Sequence, residues 1–408
     1  MSETFFEPSE QRQLKVVIVG AGAGGISTAA RLAKAGIHVT VLEKNSFPGG
    51  RCSLIHHEGY RFDQGPSLLL LPNLVHSTFD DLGTSLDKES VKVYKCEPNY
   101  KVYFHDRKCV TLSTDQSLMK NEIEKWEGSE GYERIPGHPS ISVRTVSEEH
   151  SPSIPYDAPG LYSLLQYTEL TEGVWYPKGG FHEILKALIK ISKKDGAIYR
   201  LSTPVDKVLV SNGKATGVRL SSGEDIQADI VVLNSDLVYS YQNLIPPQPL
   251  TLLDVALSLI PFTLFSRLLG STNIGLGSRD VSCSSISFYW GMKRIIPEFG
   301  PHNVFLAERY RESFDDIFKS HTLPKEPSFY VNVPSRIDPT AAPEEKDSFV
   351  VLVPIGAFHK GKNQPRMEEL VERARNFVID RIEKQYNFKD FRQWIDFELI
   401  NTPETCQD

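Results

Sequence analysis

At 408 residues with 40% hydrophobic side chains, the chain is long enough for two domains, or for one large α/β domain with an insertion. Its 45 basic and 52 acidic residues leave a formal charge of −7, which excludes nucleic acid as a partner held by bulk electrostatics. The sequence has no run of about 18 uninterrupted apolar residues, so no segment is forced to span a bilayer.

Residues 1–13 are polar and acidic, without a basic n-region or an apolar h-region, which reads as an intracellular protein with no secretory leader. Lys15 to Val19 is a β-branched apolar run, hence a buried parallel strand. Gly20, Gly22, Gly24 and Gly25 follow. Gly20 allows a tight turn, Gly22 lets the backbone approach a pyrophosphate, and Gly25 lets a helix pack close to the sheet. That helix, Gly25 to Ala35, turns Ala29, Ala30 and Ala33 inward. Its N-terminus offers N–H groups and partial positive charge to phosphates. Val39 to Leu42 forms the next strand, and Glu43, followed by Lys44, stands where a ribose hydroxyl can be bound. A Gly-rich loop alone only turns the chain. Strand, glycines, helix, strand and acid in this order make a dinucleotide-binding βαβ unit.

Phe47-Pro48-Gly49-Gly50-Arg51 comes next, then Gly59-Tyr60-Arg61-Phe62-Asp63-Gln64-Gly65-Pro66. Paired glycines let a backbone pass a planar ligand, and Arg51 can neutralise phosphate; a turn with a solvated arginine is the plainer alternative. For His56-His57 a surface turn is one reading among others. Together with the βαβ unit, these segments resemble the amine oxidase and phytoene desaturase group of FAD proteins. The resemblance implies FAD and places Gly49, Gly50, Arg51, Gly65 and Pro66 at the cofactor.

Residues 136–155, rich in Pro, Ser and Glu, read as a loop. Phe181, Ile184, Leu185, Leu188 and Ile189 recur at helical spacing, and Asp195-Gly196 ends that helix. Val205–Val210, Lys214–Leu220 and Ile226–Leu233 are separated by the turn signals Asn212-Gly213 and Ser222-Gly223, which predicts an antiparallel meander. Its last run, Asp229 to Leu233, is apolar on both faces and should re-enter the main sheet. Asn234-Ser235-Asp236 then lies at a strand's C-terminal end, where α/β sheets bind ligands, and Asp236 is taken as a cofactor residue. Leu252–Leu269 is strongly apolar, but Asp254, Pro261 and Arg267 suit a buried helix or a one-sided membrane contact better than a span. Near the end, Leu370, Val371, Ala374, Phe377, Val378 and Ile382 make one helix face. Glu368, Glu372, Arg373, Arg375 and Lys384 make a solvated one.

The five cysteines, Cys52, Cys96, Cys109, Cys283 and Cys406, match no metal spacing and read as free thiols. No metal site and no Ser-His-Asp set is legible. The aromatic clusters Trp175-Tyr176-Pro177 and Phe288-Tyr289-Trp290 suit either a channel for a long apolar molecule or ordinary core packing.

Ser153–Leu165, Gly173–Phe181, Ser287–Gly291 and Pro339–Pro343 resemble fungal and bacterial carotenoid desaturases of the phytoene desaturase family. The resemblance implies phytoene or a related polyene as substrate and hydride transfer to the flavin, with no catalytic side chain assigned. It also implies that the backbone of Val205 reads the adenine edge and that the protein touches a membrane surface peripherally. Asp236 and Glu172 are acids near segments that would approach the flavin, with a structural role as the alternative. Two other readings are a different FAD oxidoreductase of the amine oxidase group, and a catalytically inactive membrane-associated protein.

The expected architecture is α/β: a Rossmann-like FAD-binding domain from 1–120 and 172–240, with a discontinuous α+β substrate domain from 121–171 and 241–408. The chain is short relative to the family between Gly131-Tyr132-Glu133-Arg134 and the Pro155-Tyr156-Asp157 segment, and residues 246–280 depart from the family pattern. After Thr402-Pro403 the family continues into a Gly-rich element that walls the flavin ring. Without that wall, FAD should bind more weakly and desaturation should be slow.

Overall fold

Lys15–Val19, His38–Leu42, Ile198–Arg200 and Ile230–Leu233 form a four-stranded parallel sheet in a computed structural model of the protein. The structure describes residues 13–129, 168–169, 171–246, 282–357 and 366–405. The expected loop at 136–155, the Ser153–Leu165 segment, Leu252–Leu269 and Cys406 lie outside the described residues. The chain divides into two units: Met1–Ser53, Thr78–Ser85 and Ile184–Asp280, and then Leu54–Ser77, Leu86–Glu183 and Val281–Asp408.

In the first unit, Ile230–Leu233 pairs with Lys15–Val19, which pairs with His38–Leu42, which pairs with Ile198–Arg200. The β-branched run Val16, Val17 and Ile18 is at most 2% exposed because it is an interior strand. Helix Ala23–Lys34 buries Ile26, Ala29, Ala30 and Ala33 at helical spacing. The meander follows as Val205–Ser211, Lys214–Leu220 and Asp225–Gln227. Asn212 (φ 49°) and Gly213 (φ 71°) turn its first hairpin, both left-handed as a tight hairpin requires. The expected third strand, Ile226–Leu233, is two strands. Asp225–Gln227 stays in the meander, and Asp229 switches the chain to the main sheet by donating its N–H to Lys15 O (2.9 Å) and accepting from Lys15 N on Oδ2 (2.9 Å). Ile230–Leu233 occupies a sheet edge, so Ile230 stays 45% exposed rather than buried on both faces. Val17, Val19, Leu42, Val218, Leu220 and Leu244 share one core.

The second unit holds a seven-stranded mixed sheet. Its order is Ile395–Asn401, Ser284–Met292, Ser348–Ile355, Phe329–Asn332, His302–Phe305, Tyr100–Tyr103 and Cys109–Leu112. Only the His302–Phe305 and Tyr100–Tyr103 pair is parallel. Helix Met367–Tyr386 lays Leu370, Val371, Ala374, Val378 and Ile382 on this sheet's core. Arg375, expected on the solvated face, instead grips Glu398 through Nε (2.9 Å to Oε1), and Trp290 Nε1 donates to the same carboxylate (2.8 Å). Phe288, Tyr289 and Trp290 are at most 1% exposed, so core packing is the observed outcome. Alternation along the strand sends Phe288 and Trp290 into one core and Tyr289 into another with Tyr60 and Phe62.

Residues 54–77 and 86–120, expected in the nucleotide domain, cluster with the second unit, as do 172–183. Strand pairing accounts for it: Tyr100–Tyr103 lies beside His302–Phe305, and Tyr60 OH donates to Met292 O (2.9 Å). His56 and His57 lie in strand Leu54–His57, not in a turn. Among the described residues, no helix is long and apolar enough to cross a membrane, no metal-ligand cluster occurs, and no cysteine is in a disulfide.

Candidate dinucleotide site

The first unit brings the two glycine segments together. Gly20, at φ 102°, donates its N–H to Leu42 O (2.8 Å), which ties the turn to the neighbouring strand. Gly22 is the N-cap of helix Ala23–Lys34, and no side chain caps it, so the first-turn N–H groups are left for an anion. A Cβ on Gly25 would lie 2.1 Å from Gly20 O, an impossible approach. Gly49 forms an isolated parallel bridge with Gly22 and donates to Ala21 O (2.7 Å). Both Gly49 (φ 118°) and Gly50 (φ 55°) are left-handed, and a Cβ on Gly50 would touch Gly22 Cα at 3.5 Å. The Phe-Pro-Gly-Gly-Arg segment is therefore a second wall of the same loop. Arg51 follows on a single 3-10 turn, Gly50–Cys52, and is exposed, as is Lys44.

Glu43 is 6% exposed, and backbone amides engage both of its oxygens. Ala21 N–H donates to Oε2 (2.7 Å) and Asn45 N–H to Oε1 (2.9 Å). Its main chain accepts from Thr203 N (2.8 Å), two residues before half-buried Val205 at the start of the meander. A carboxylate oxygen has a second lone pair, so a ribose hydroxyl can still be accepted. Glu43→Ala should therefore weaken dinucleotide binding and the unliganded fold together, each by roughly 1–3 kcal/mol. Titration and thermal unfolding check both; unchanged affinity would remove Glu43 from the site.

Asp236 is exposed, and its Oδ1 accepts from Tyr239 N (2.9 Å), capping the short helix Leu237–Tyr239. The residue of the Asn234-Ser235-Asp236 segment that meets the glycine loop is Asn234, where the sequence reading took Asp236: Nδ2 donates to Gly20 O (3.3 Å). Strand end and polar type were the available signals. The residues present fit an adenine dinucleotide: a tight glycine turn with no room for Cβ atoms against Asn234 and Gly20 O, an uncapped helix start and a buried acid.

Gly65 and Pro66 follow strand Tyr60–Asp63 in the second unit. That unit joins three of the motifs noted in the sequence. Asp63 accepts from Tyr176 OH and from Phe181 N (2.7 Å), while buried Asp338 accepts from Arg61 Nη2 (2.7 Å), Gly179 N (2.7 Å) and Thr340 Oγ1 (2.7 Å). Burial pushes the Asp63 carboxyl up to about 6, against its hydrogen bonds to Tyr176 and Phe181. Burial also acts upward on Asp338, but Gly179, Thr340 and Arg61 together hold it below the usual range. Glu172 is half-buried; its carbonyl accepts from Trp175 Nε1 (2.9 Å).

His302 sits at the centre of a second buried network. Asn332 Nδ2 donates to Pro301 O (3.1 Å) and faces His302 Nδ1 (3.3 Å), which makes Nδ1 the acceptor. Tyr330 OH then donates to Nδ1 (2.6 Å), Ser67 Oγ donates to Tyr330 OH (3.0 Å), and Nε2–H points at Cys96 Sγ (3.4 Å). Burial lowers the imidazole to about 3 and raises the Cys96 thiol to about 12, so both are neutral at pH 7.

Residues 18–82 match a model described as NAD(P)-binding Rossmann-like domain, and residues 146–257 one described as flavin containing amine oxidoreductase. The chain is 50% identical over 406 residues to a phytoene desaturase of Cercospora nicotianae, covering 86% of this chain and 62% of that protein. It is 44% identical to the phytoene desaturase of Fusarium fujikuroi (96% and 78% covered) and 44% identical to that of Neurospora crassa (97% and 74%). It thus spans less than two thirds of the Cercospora protein's length. Among solved structures, an oxidoreductase of Methanosarcina mazei superposes with TM-score 0.61 at 17% identity, covering 96% of this chain and 88% of that one. A putrescine oxidase variant superposes with TM-score 0.56 at 14% identity (95% and 84%). These two likenesses concern the fold alone.

Proposed function

This chain belongs to the phytoene desaturase family of FAD oxidoreductases, and on that premise we propose that it desaturates phytoene, or a closely related polyene, to a more conjugated carotene. The observation that carries the reading is 44% identity with desaturases whose length it covers by 74–78%. FAD, when bound, supplies the acceptor for the hydride. The chain's own residues would hold the adenosine and pyrophosphate: the N–H groups at Ala23–Lys34, the glycine walls at Gly22 and Gly49, and Glu43 at the ribose. Val205 and Arg51, both in the first unit, belong to the same proposed site, and the family resemblance alone supports Gly65 and Pro66 of the second unit as cofactor residues. Phytoene partitions into bilayers, so the reading includes a one-sided membrane contact, with Leu252–Leu269 as the sequence best suited to it.

The test is incubation of FAD-loaded protein with phytoene in liposomes, and separately with primary amines. A lengthening polyene chromophore without amine turnover is expected. Amine oxidation with phytoene untouched would replace this reading with the amine oxidase one. Failure to bind liposomes in flotation would remove the membrane contact.

A further inference from the structure

Around the glycine loop, one side chain accounts for most of the missing Cβ atoms. A Cβ on Gly24 would lie 2.5 Å from Asn234 Oδ1. On Gly25 and Gly22 it would lie 3.0 and 3.1 Å from Asn234 Nδ2, while on Gly20 it would meet the backbone carbonyl of Asn234 at 3.2 Å. Asn234 is itself fixed, because its N–H donates to Val19 O (2.8 Å) and so continues the pairing of Ile230–Leu233 with Lys15–Val19. Its Nδ2 donates to Gly20 O (3.3 Å), the carbonyl that leans into the first helical turn beside Gly25. A carbonyl oxygen at that place repels an anion approaching the helix start, and an amide donor against it offsets the repulsion while holding the turn.

We propose that Asn234 is a positioning residue for the dinucleotide: its amide pins the Gly20 carbonyl and so sets the shape and charge of the phosphate cradle. The proposal rests on the FAD reading. Asparagine suits the place because it is small enough for the glycines and carries a donor. Aspartate has the same size, but it removes the donor and sets a negative charge beside the cradle. A mere space-filler would tolerate aspartate better than alanine, and a donor that shapes an anion site would show the reverse order.

The experiment titrates the unliganded 408-residue chain with FAD and, separately, with ADP, alongside thermal unfolding without ligand. Asn234→Ala is expected to weaken both ligands about tenfold, and Asn234→Asp about a hundredfold, for loss of a hydrogen bond and then added repulsion. The Asn234→Asp defect should shrink at high salt. Asn234→Ser, which keeps a hydroxyl donor, stands in if the aspartate variant does not fold, and should bind more tightly than Asn234→Ala. Aspartate binding as well as wild type, or serine no better than alanine, overturns the proposal. Wild-type protein that binds neither FAD nor ADP overturns the FAD reading itself.

Discussion

Gly25→Ala should abolish measurable FAD binding and destabilise the protein by about 1–3 kcal/mol, the range for forcing an extra group into a packed site. The added Cβ would stand 2.1 Å from Gly20 O, a backbone atom, and 3.0 Å from Asn234 Nδ2, so moving the Asn234 side chain alone would not relieve the clash. Either the helix start must retreat from the sheet or Gly20 must turn, and either movement spoils the cradle. Gly36 is the internal control. A Cβ there meets nothing within 4 Å, although φ is +78°. Gly36→Ala should therefore cost only the left-handed strain, about 1–2 kcal/mol, and leave FAD affinity intact. Isothermal titration with chemical unfolding separates the two; equal FAD affinity in both variants would show that close packing at Gly25 has no part in binding.

His302 should impose a strong acid dependence on stability, opposite in sign to that of Asp63. The imidazole falls to about 3 in the folded protein from about 6.5 unfolded, so the unfolded state binds the extra proton between those values. Its stabilising contribution is present above 6.5 and is lost as pH falls, amounting to about 3 kcal/mol by pH 4. Asp63 rises to about 6 from 3.8, so its contribution is present below 3.8 and is lost as pH rises through 6. In the wild-type protein the two slopes largely cancel between about pH 4 and 6, and each variant exposes the other group. Asp63→Asn should lose stability steeply on acidification below pH 6.5. His302→Gln should hold or gain stability over the same interval. Urea unfolding of the three proteins at pH 4, 5, 6 and 7 checks this, and parallel profiles would contradict the assigned burial.

The βαβ unit was legible because its signals are local. Val16 to Val19 reads as a strand and the glycines as a turn, and the alanines of Ala23–Lys34 fall on one face. The meander was legible for the same reason, through Asn212-Gly213. The break at Asp229 was not, because the run 230–233 looks continuous with 226–227, and it is the two bonds between Asp229 and Lys15 that divide them. Glu43 was legible as an acid at a strand end. That its carboxylate holds Ala21 and Asn45 depends on how the loop folds back, which residue type does not encode. The Asn234–Gly20 contact, the Asp63–Tyr176 contact and the Arg61–Asp338 ion pair were missed because each joins residues more than a hundred positions apart. Arg375 was misassigned because helical periodicity locates the solvent side of a helix but not Glu398 on a strand beside it.

The proposed use of bound FAD to desaturate phytoene can be decided in one anaerobic reaction. Protein reconstituted with FAD is mixed with phytoene liposomes in the absence of oxygen, and flavin absorbance is followed together with that of the carotene. Bleaching of the oxidised flavin in step with the appearance of a longer polyene, one double bond per flavin, is the predicted result. Flavin that stays oxidised, in protein shown to bind both FAD and the liposomes, would contradict the account.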